Sequence, residues 1–172
     1  MNPKLADTLC TRCGLCCDGS LFADVELASG DEASGLQVMG LEIEDDDEDD
    51  GGLLLQPCGA LKGTRCRIYP YRPDCCRTFE CRLLQEAERG LVGVERAKDK
   101  IAEALRRIEH VRGLAVQLGV SDEHLPLKEI YVEALALLDA AEGDRVAGRK
   151  RAELQAGMAS LERLLQATFL GG

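Results

Sequence analysis

All nine cysteines of this 172-residue chain fall between Cys10 and Cys81, and the last half of the chain has none. That asymmetry constrains the fold more than any other feature. Thiols so concentrated either cross-link one another or converge on metal ions. The stretch from Met1 to Asp7 runs into Cys10 without an apolar targeting segment, and no run of residues is long enough to span a bilayer. The expected location is therefore the cytoplasm, where thiols stay reduced. An odd number of cysteines in a reducing compartment reads as metal ligands rather than as a disulfide framework.

The cysteines also divide the chain into a cysteine-rich module over residues 1–82 and a helical region over 83–172. Aromatic residues are scarce, with three Phe, three Tyr and no Trp, so aliphatic side chains and Ala must fill the core, which favours helix packing over a β-sandwich. The expected fold is mainly α: a small, irregular, cysteine-rich metal-binding module with short strands, followed by a helical hairpin or three-helix bundle.

The formal charge of −10 is uneven, because residues 1–60 carry fourteen acids against only Lys4 and Arg12. Binding to a phosphate backbone needs clustered Lys and Arg, so no nucleic-acid partner is expected, and no membrane either. The acidic run from Glu42 to Asp50, closed by Gly51-Gly52, reads as a solvated loop. Around it, residues 21–27 end in strand-like alternation, Ser29 to Gly40 has room for one or two helical turns capped by Ser29 or Asp31, and Leu53-Leu54-Leu55 is a brief apolar strand.

The second half carries helical periodicity. Val94, Ala97, Ile101, Ala104, Ile108, Val111, Ala115 and Leu118 share one face of a helix stopped by Gly119, with Gly90 and Gly93 loosening its start. A second helix is expected over Leu127 to Ala141, capped by Ser121 and ended by Gly143, with Ile130, Ala134, Leu137, Leu138 and Ala141 inward. A third runs from about Asp144 to Leu170 on a stripe of Leu154, Met158, Leu161, Leu165 and Phe169. Such helices bury their stripes against one another and offer a surface for a protein partner. His110 and His124 read as surface residues, and Asp122 to His124 as the first turn of a helix. No Ser/His/Asp set and no phosphate-cradling glycine loop is legible.

The chemistry is written in Cys10-Thr-Arg-Cys13-Gly-Leu-Cys16-Cys17 and in the later cysteines Cys58, Cys66, Cys75, Cys76 and Cys81. Two cysteines separated by two residues can turn back on one ion if the backbone between them forms a tight loop with its amides facing the sulfurs. Gly14 suits the angles that loop needs. Adjacent Cys16 and Cys17 point apart in most conformations, so they serve different ions or bridge two. A divalent ion in four thiolates carries a charge of about −2. Arg65, Arg67, Arg72, Arg77 and Arg82, interspersed among the later cysteines, can compensate it.

These residues resemble the YkgJ-like cysteine-cluster family, the CxxCxxCC zinc- or iron-chelating domain. The resemblance rests on Cys10, Cys13, Cys16, Cys17, Cys58 and Leu61, then on Cys66-Arg-Ile-Tyr69 and on Arg72-Pro73-Asp-Cys75-Cys76-Arg77-Thr-Phe79-Glu-Cys81. It covers about the first half of the chain. It implies eight thiol ligands, Cys10, Cys13, Cys16, Cys17, Cys58, Cys66, Cys76 and Cys81, with Cys75 at a free position. Eight ligands serve either two four-thiolate sites or an iron–sulfur cluster with a separate zinc ion, and the spacing does not choose between zinc and iron–sulfur. The leading expectation is a metal-binding protein without catalytic machinery of its own. By analogy with the similar cysteine cluster of flagellin lysine-N-methylase, a protein-lysine N-methylase-like enzyme is an alternative, although the chain shows no recognisable S-adenosylmethionine pocket. An electron-transferring iron–sulfur protein is another.

Overall fold

The computed structural model describes residues 3–45, 51–122, 124–140 and 145–171. The chain divides into two compact units, Met1–Glu80 and Cys81–Gly172. Seven α-helices against five strands of two or three residues make the protein mainly α among the described residues.

The first unit opens with helix α1, Pro3–Cys13, which buries Ala6 and Leu9. The sequence reading placed no regular element there. Strands β1 (Asp24–Glu26), β2 (Ile43–Glu44) and β3 (Leu53–Leu55) form an antiparallel sheet with β3 central, Leu54 standing opposite both Val25 and Ile43. Between β1 and β2 lies α2, Gly30–Val38. Ser29 caps it through a hydrogen bond from the Glu32 N–H at 3.3 Å, the start expected from sequence. Strands β4 (Leu61–Lys62) and β5 (Arg65–Cys66) form a hairpin, and α3 (Asp74–Thr78) is a single short turn of helix. Leu27, Ala33, Leu36, Leu41, Leu54 and Ala60 form the apolar core of this unit.

Gly51 is required by this packing, because a Cβ there would stand 1.9 Å from the Leu27 carbonyl oxygen. The Leu27 N–H donates to Gly52 O at 3.0 Å. The two glycines thus let the chain press against the end of β1. Of the acidic run, residues 42–45 are described and hold β2; residues 46–50 lie outside the described residues.

The second unit contains α4 (Arg82–Glu88), α5 (Val94–Leu118), α6 (Leu127–Asp139) and α7 (Arg145–Leu165), the last running into a π-helical turn over Gln166–Leu170. Helices α5, α6 and α7 pack pairwise as a three-helix bundle, and α4 lies on α5 and on the final turn. The expected stripes of α5 and α7 are buried, from Ala97 to Ala115 and from Leu154 to Phe169. Arg107 ties these two helices by donating to Glu103 Oε1 at 2.7 Å and to the Ser160 carbonyl and hydroxyl at 3.1 and 2.9 Å.

Several boundaries differ from expectation. Gly90, at φ +72°, follows the separate helix α4 rather than loosening the start of α5. Val94 is exposed and Leu118 half-buried, since each sits at an end of the packed stripe. Helix α6 starts from Pro126 rather than Ser121; its carbonyl accepts the N–H groups of Glu129 and Ile130 at 3.0 and 3.1 Å. Asp122 Oδ1 instead accepts the N–H of His124 at 2.8 Å in a turn before the helix. Leu137 is exposed, so the buried face of α6 passes through Leu127, Ile130, Ala134 and Leu138. Ala141, Gly143 and Asp144 lie outside the described residues.

Candidate metal centre

Cys10 and Cys13 occupy the last turn of α1, three residues apart and therefore on one helical face. The tight loop expected between them is helix. The unusual backbone comes directly afterwards, where Gly14 has φ +73° and redirects the chain into the turn carrying Cys16 and Cys17. Within it Cys17 and Asp18 donate their N–H groups to Gly14 O at 2.8 and 3.0 Å, and the wholly buried Leu15 anchors the turn. The Thr64 hydroxyl, from the β4–β5 turn, donates to Thr11 O at 2.7 Å, so α1 and the hairpin bearing Cys66 are fastened together.

Cys58 meets this turn from the other side. Its N–H donates to Cys17 O at 2.8 Å and also to Gln56 Oε1 at 3.1 Å. Gln56 is a buried polar side chain whose amide group also donates to Leu54 O. The Cys58 sulfur receives the backbone N–H groups of Ala60 and Leu61. Amides aimed at sulfur are thus found at Cys58, a position for which the sequence did not suggest them. Gly59 after Cys58 was the only local hint.

All nine cysteines are half-buried, and several of their thiols act on one another electrostatically. Burial pushes the Cys17 thiol up to about 12 from an ordinary 9.0, with Cys58, Cys66 and Asp18 adding to the rise and Arg72 opposing it. Cys58 is also raised by burial, against the pull of its two backbone donors. Cys76 is held protonated first by its hydrogen bond to Cys75, then by burial, with Cys17 and Cys58 within reach; the two sulfurs of the adjacent pair are 4.0 Å apart. Cys75 is shifted down by that same bond. Cys66 thus acts on Cys17 and Cys58, and Cys17 and Cys58 act on Cys76, although the four come from separate segments.

The remaining cysteines are placed by their own elements: Cys10 and Cys13 on α1, Cys16 beside Cys17, and Cys81 in the second unit as the residue capping α4. Of the arginines, Arg72 is half-buried with its guanidinium 3.6 Å from the centre of the Tyr69 ring and its Nε donating to Tyr69 O at 3.0 Å. From there its charge opposes the rise of the Cys17 thiol. Arg65, Arg67 and Arg77 are exposed, and Arg82 pairs with Glu86. Edge-to-face packing of Phe22 on Phe79, with centroids 5.2 Å apart, holds the chain just beyond α3.

Glu32 was not singled out by sequence. One carboxylate oxygen accepts the Ala28 N–H at 3.0 Å and the other accepts the Asp74 N–H at 2.8 Å, joining the entry of α2 to the first residue of α3. Among the described residues, no three His, Cys, Asp or Glu side chains stand close enough to hold one ion as placed. No helix among them is long and apolar enough to cross a membrane.

The arrangement is that of a cysteine-cluster protein, its half-buried thiols carried by several short segments. The chain belongs to the CxxCxxCC family, whose model is described as "Putative zinc- or iron-chelating domain" and matches residues 9–102, more than half of the chain. The match runs past the cysteines through α4 and into α5, beyond the extent expected from the motif. No curated protein and no solved structure matches the chain.

Proposed function

We propose that this chain binds a thiophilic metal, zinc or iron, through two groups of thiolates. Cys17, Cys58, Cys66 and Cys76 form the first group. Cys10, Cys13 and Cys16 contribute to the second, and Cys81 is a further family cysteine. The observation that carries the reading is the Cys58 N–H bond to Cys17 O at 2.8 Å, which joins two cysteine segments, with Cys66 acting on both thiols and both acting on Cys76. Four half-buried thiols serve no core better than four apolar residues would, yet together they suit a soft cation.

The donor set fits such an ion in two further respects. Backbone N–H groups already face the Cys58 sulfur, and hydrogen bonds of this kind stabilise a bound thiolate. Arg72 offers a fixed positive charge beside Cys17, and guanidinium keeps that charge at any relevant pH. A bound ion supplies the attraction that draws deprotonated sulfurs together, and its binding energy becomes folding energy for the module. The helical unit is the proposed partner-binding half, on the support of the exposed Val116, Val132 and Leu137.

The test is anaerobic purification followed by elemental analysis and an absorption spectrum on one sample. Stoichiometric zinc with no visible absorbance assigns zinc; iron with sulfide and a visible spectrum assigns a cluster. Material prepared without oxygen that carries neither metal, and that takes up neither Zn²⁺ nor Fe²⁺ when reduced, rules the proposal out.

A further inference from the structure

We propose that Glu32 is a positioning residue for the metal centre: its carboxylate, held by the start of α2, fixes the first turn of α3 and thereby the direction of Cys76. The inference rests on the metal-binding reading above.

Helix α3 has five residues, too few to be stable alone, since nucleating a helix costs more than so short a run returns. Its cap residue is Pro73, which makes no side-chain capping bond and has no N–H to offer. The Asp74 N–H is thus the first amide of the turn, and its partner is Glu32 Oε1 at 2.8 Å. The far end of the turn is held separately, by the Thr78 hydroxyl on Asp74 O at 2.9 Å and by Phe79 against Phe22. Glu32 is held in turn, because its other oxygen takes the Ala28 N–H and the neighbouring Ala33 and Leu36 are buried in the core. Successive residues of a helix point about 100° apart. Rotation of α3 by that angle would therefore swing Cys76, which lies within reach of Cys17 and Cys58, out of its place and carry Cys75, which packs on the apolar core, toward it. The carboxylate blocks that rotation with one hydrogen bond from a distant part of the chain.

Two acceptor oxygens are used at once, and a glutamine has only one. Glu32→Gln can satisfy Ala28 or Asp74 but not both, and Glu32→Ala neither. Ser29→Ala removes the cap of α2 and leaves the Asp74 contact in place, which separates helix stability from positioning. The experiment measures Zn²⁺ affinity of the reduced, metal-free full chain by competition with a chromophoric chelator, with the thiolate-to-Co²⁺ charge-transfer band as a second readout. The expected result is a dissociation constant for Zn²⁺ about 10-fold higher or more in Glu32→Ala, with a smaller rise in Glu32→Gln. Ser29→Ala should bind as the parent does, and the Co²⁺ band of Glu32→Ala should weaken by one thiolate's share. Parent-like affinity and spectrum in Glu32→Ala would overturn the assignment, as would equal losses in Ser29→Ala and Glu32→Ala. A parent chain that binds neither Zn²⁺ nor Co²⁺ defeats the metal-binding reading itself, a result distinguishable from failure of the Glu32 assignment alone.

Discussion

The N–H of Cys58 donates to the carbonyl oxygen of Cys17 at 2.8 Å, so two cysteines far apart in sequence share one backbone hydrogen bond. Their sulfurs are thereby kept in one neighbourhood before any ion arrives. The centre is partly organised by the main chain.

A first prediction follows from which thiols share that neighbourhood. Cys58→Ser should abolish tight binding at the first site and lower metal content, because it removes a ligand that already has two amide donors on its sulfur. Cys75→Ser should leave metal content unchanged, since Cys75 stands outside the eight cysteines of the family pattern. Elemental analysis of the two variants, purified side by side, checks the pair. Equal losses in both would contradict the assignment.

Proton linkage gives the second. Cys17 and Cys76 hold their protons at neutral pH, and a metal must displace them, so zinc affinity should climb with pH by up to about tenfold per unit for each proton released. In the metal-free protein the pH effect is on stability. The folded Cys17 thiol binds its proton more tightly than the unfolded one, so its contribution is whole below 9.0 and is lost as pH rises through about 12. Zinc titrations at several pH values and denaturant melts of the reduced, metal-free protein in alkali read the two effects. A zinc affinity independent of pH would be the wrong outcome.

Arg72 carries the third. Arg72→Ala removes the charge near Cys17 together with the stack on Tyr69, and should weaken metal binding by roughly tenfold, the low end for residues supporting a metal's ligands. Arg72→Lys keeps a charge without the planar contact, so it should recover only part of the loss. Chelator competition ranks the three proteins, and full recovery by Lys would show that the geometry of the clamp is irrelevant.

Metal removal is the fourth. A chelator under reducing conditions should destabilise the first unit while the stripes buried between α5, α6 and α7 keep the second helical. At a free metal concentration a thousandfold above Kd, the stabilisation lost is about 4 kcal/mol. Limited proteolysis with and without chelator should cut first within residues 1–80; cleavage first within α5 or α7 would argue against it.

Packing gives the fifth. Gly51→Ala should destabilise the first unit by about 1–3 kcal/mol, because the new methyl group would meet the Leu27 carbonyl oxygen at 1.9 Å. A denaturant melt of the loaded protein measures it, and an unchanged midpoint would refute the steric argument.

The helical bundle was largely legible because it is built from periodicity. The alternation of Ala and Ile along α5 and of Leu and Met along α7 gives the buried faces directly, and Gly119 ends α5 at φ +105° as its position suggests. Leu137 misled because the buried stripe of α6 is narrow: Ile130, Ala134 and Leu138 follow one another at four-residue spacing, and Leu137 falls beside that line. Helix α1 was hidden by its cysteines, which read as a loop motif while the apolar positions Ala6 and Leu9 were too few to show a period. Most of the metal centre lay beyond local reading. The nine cysteines announced it, but the amides on Cys58, the clamp on Arg72 and the bridge made by Glu32 depend on contacts between distant segments, and no spacing within one segment encodes them.

Cys58, Cys66 and Cys75 lie against the same apolar cluster that holds the sheet together. Whatever alters the sulfur chemistry, whether ion capture, oxidation or alkylation, therefore also changes the wall on which Leu54 and Ala60 rest. Ligand state and mechanical firmness of this small domain are two readings of a single variable, and an instrument that follows one of them follows the other.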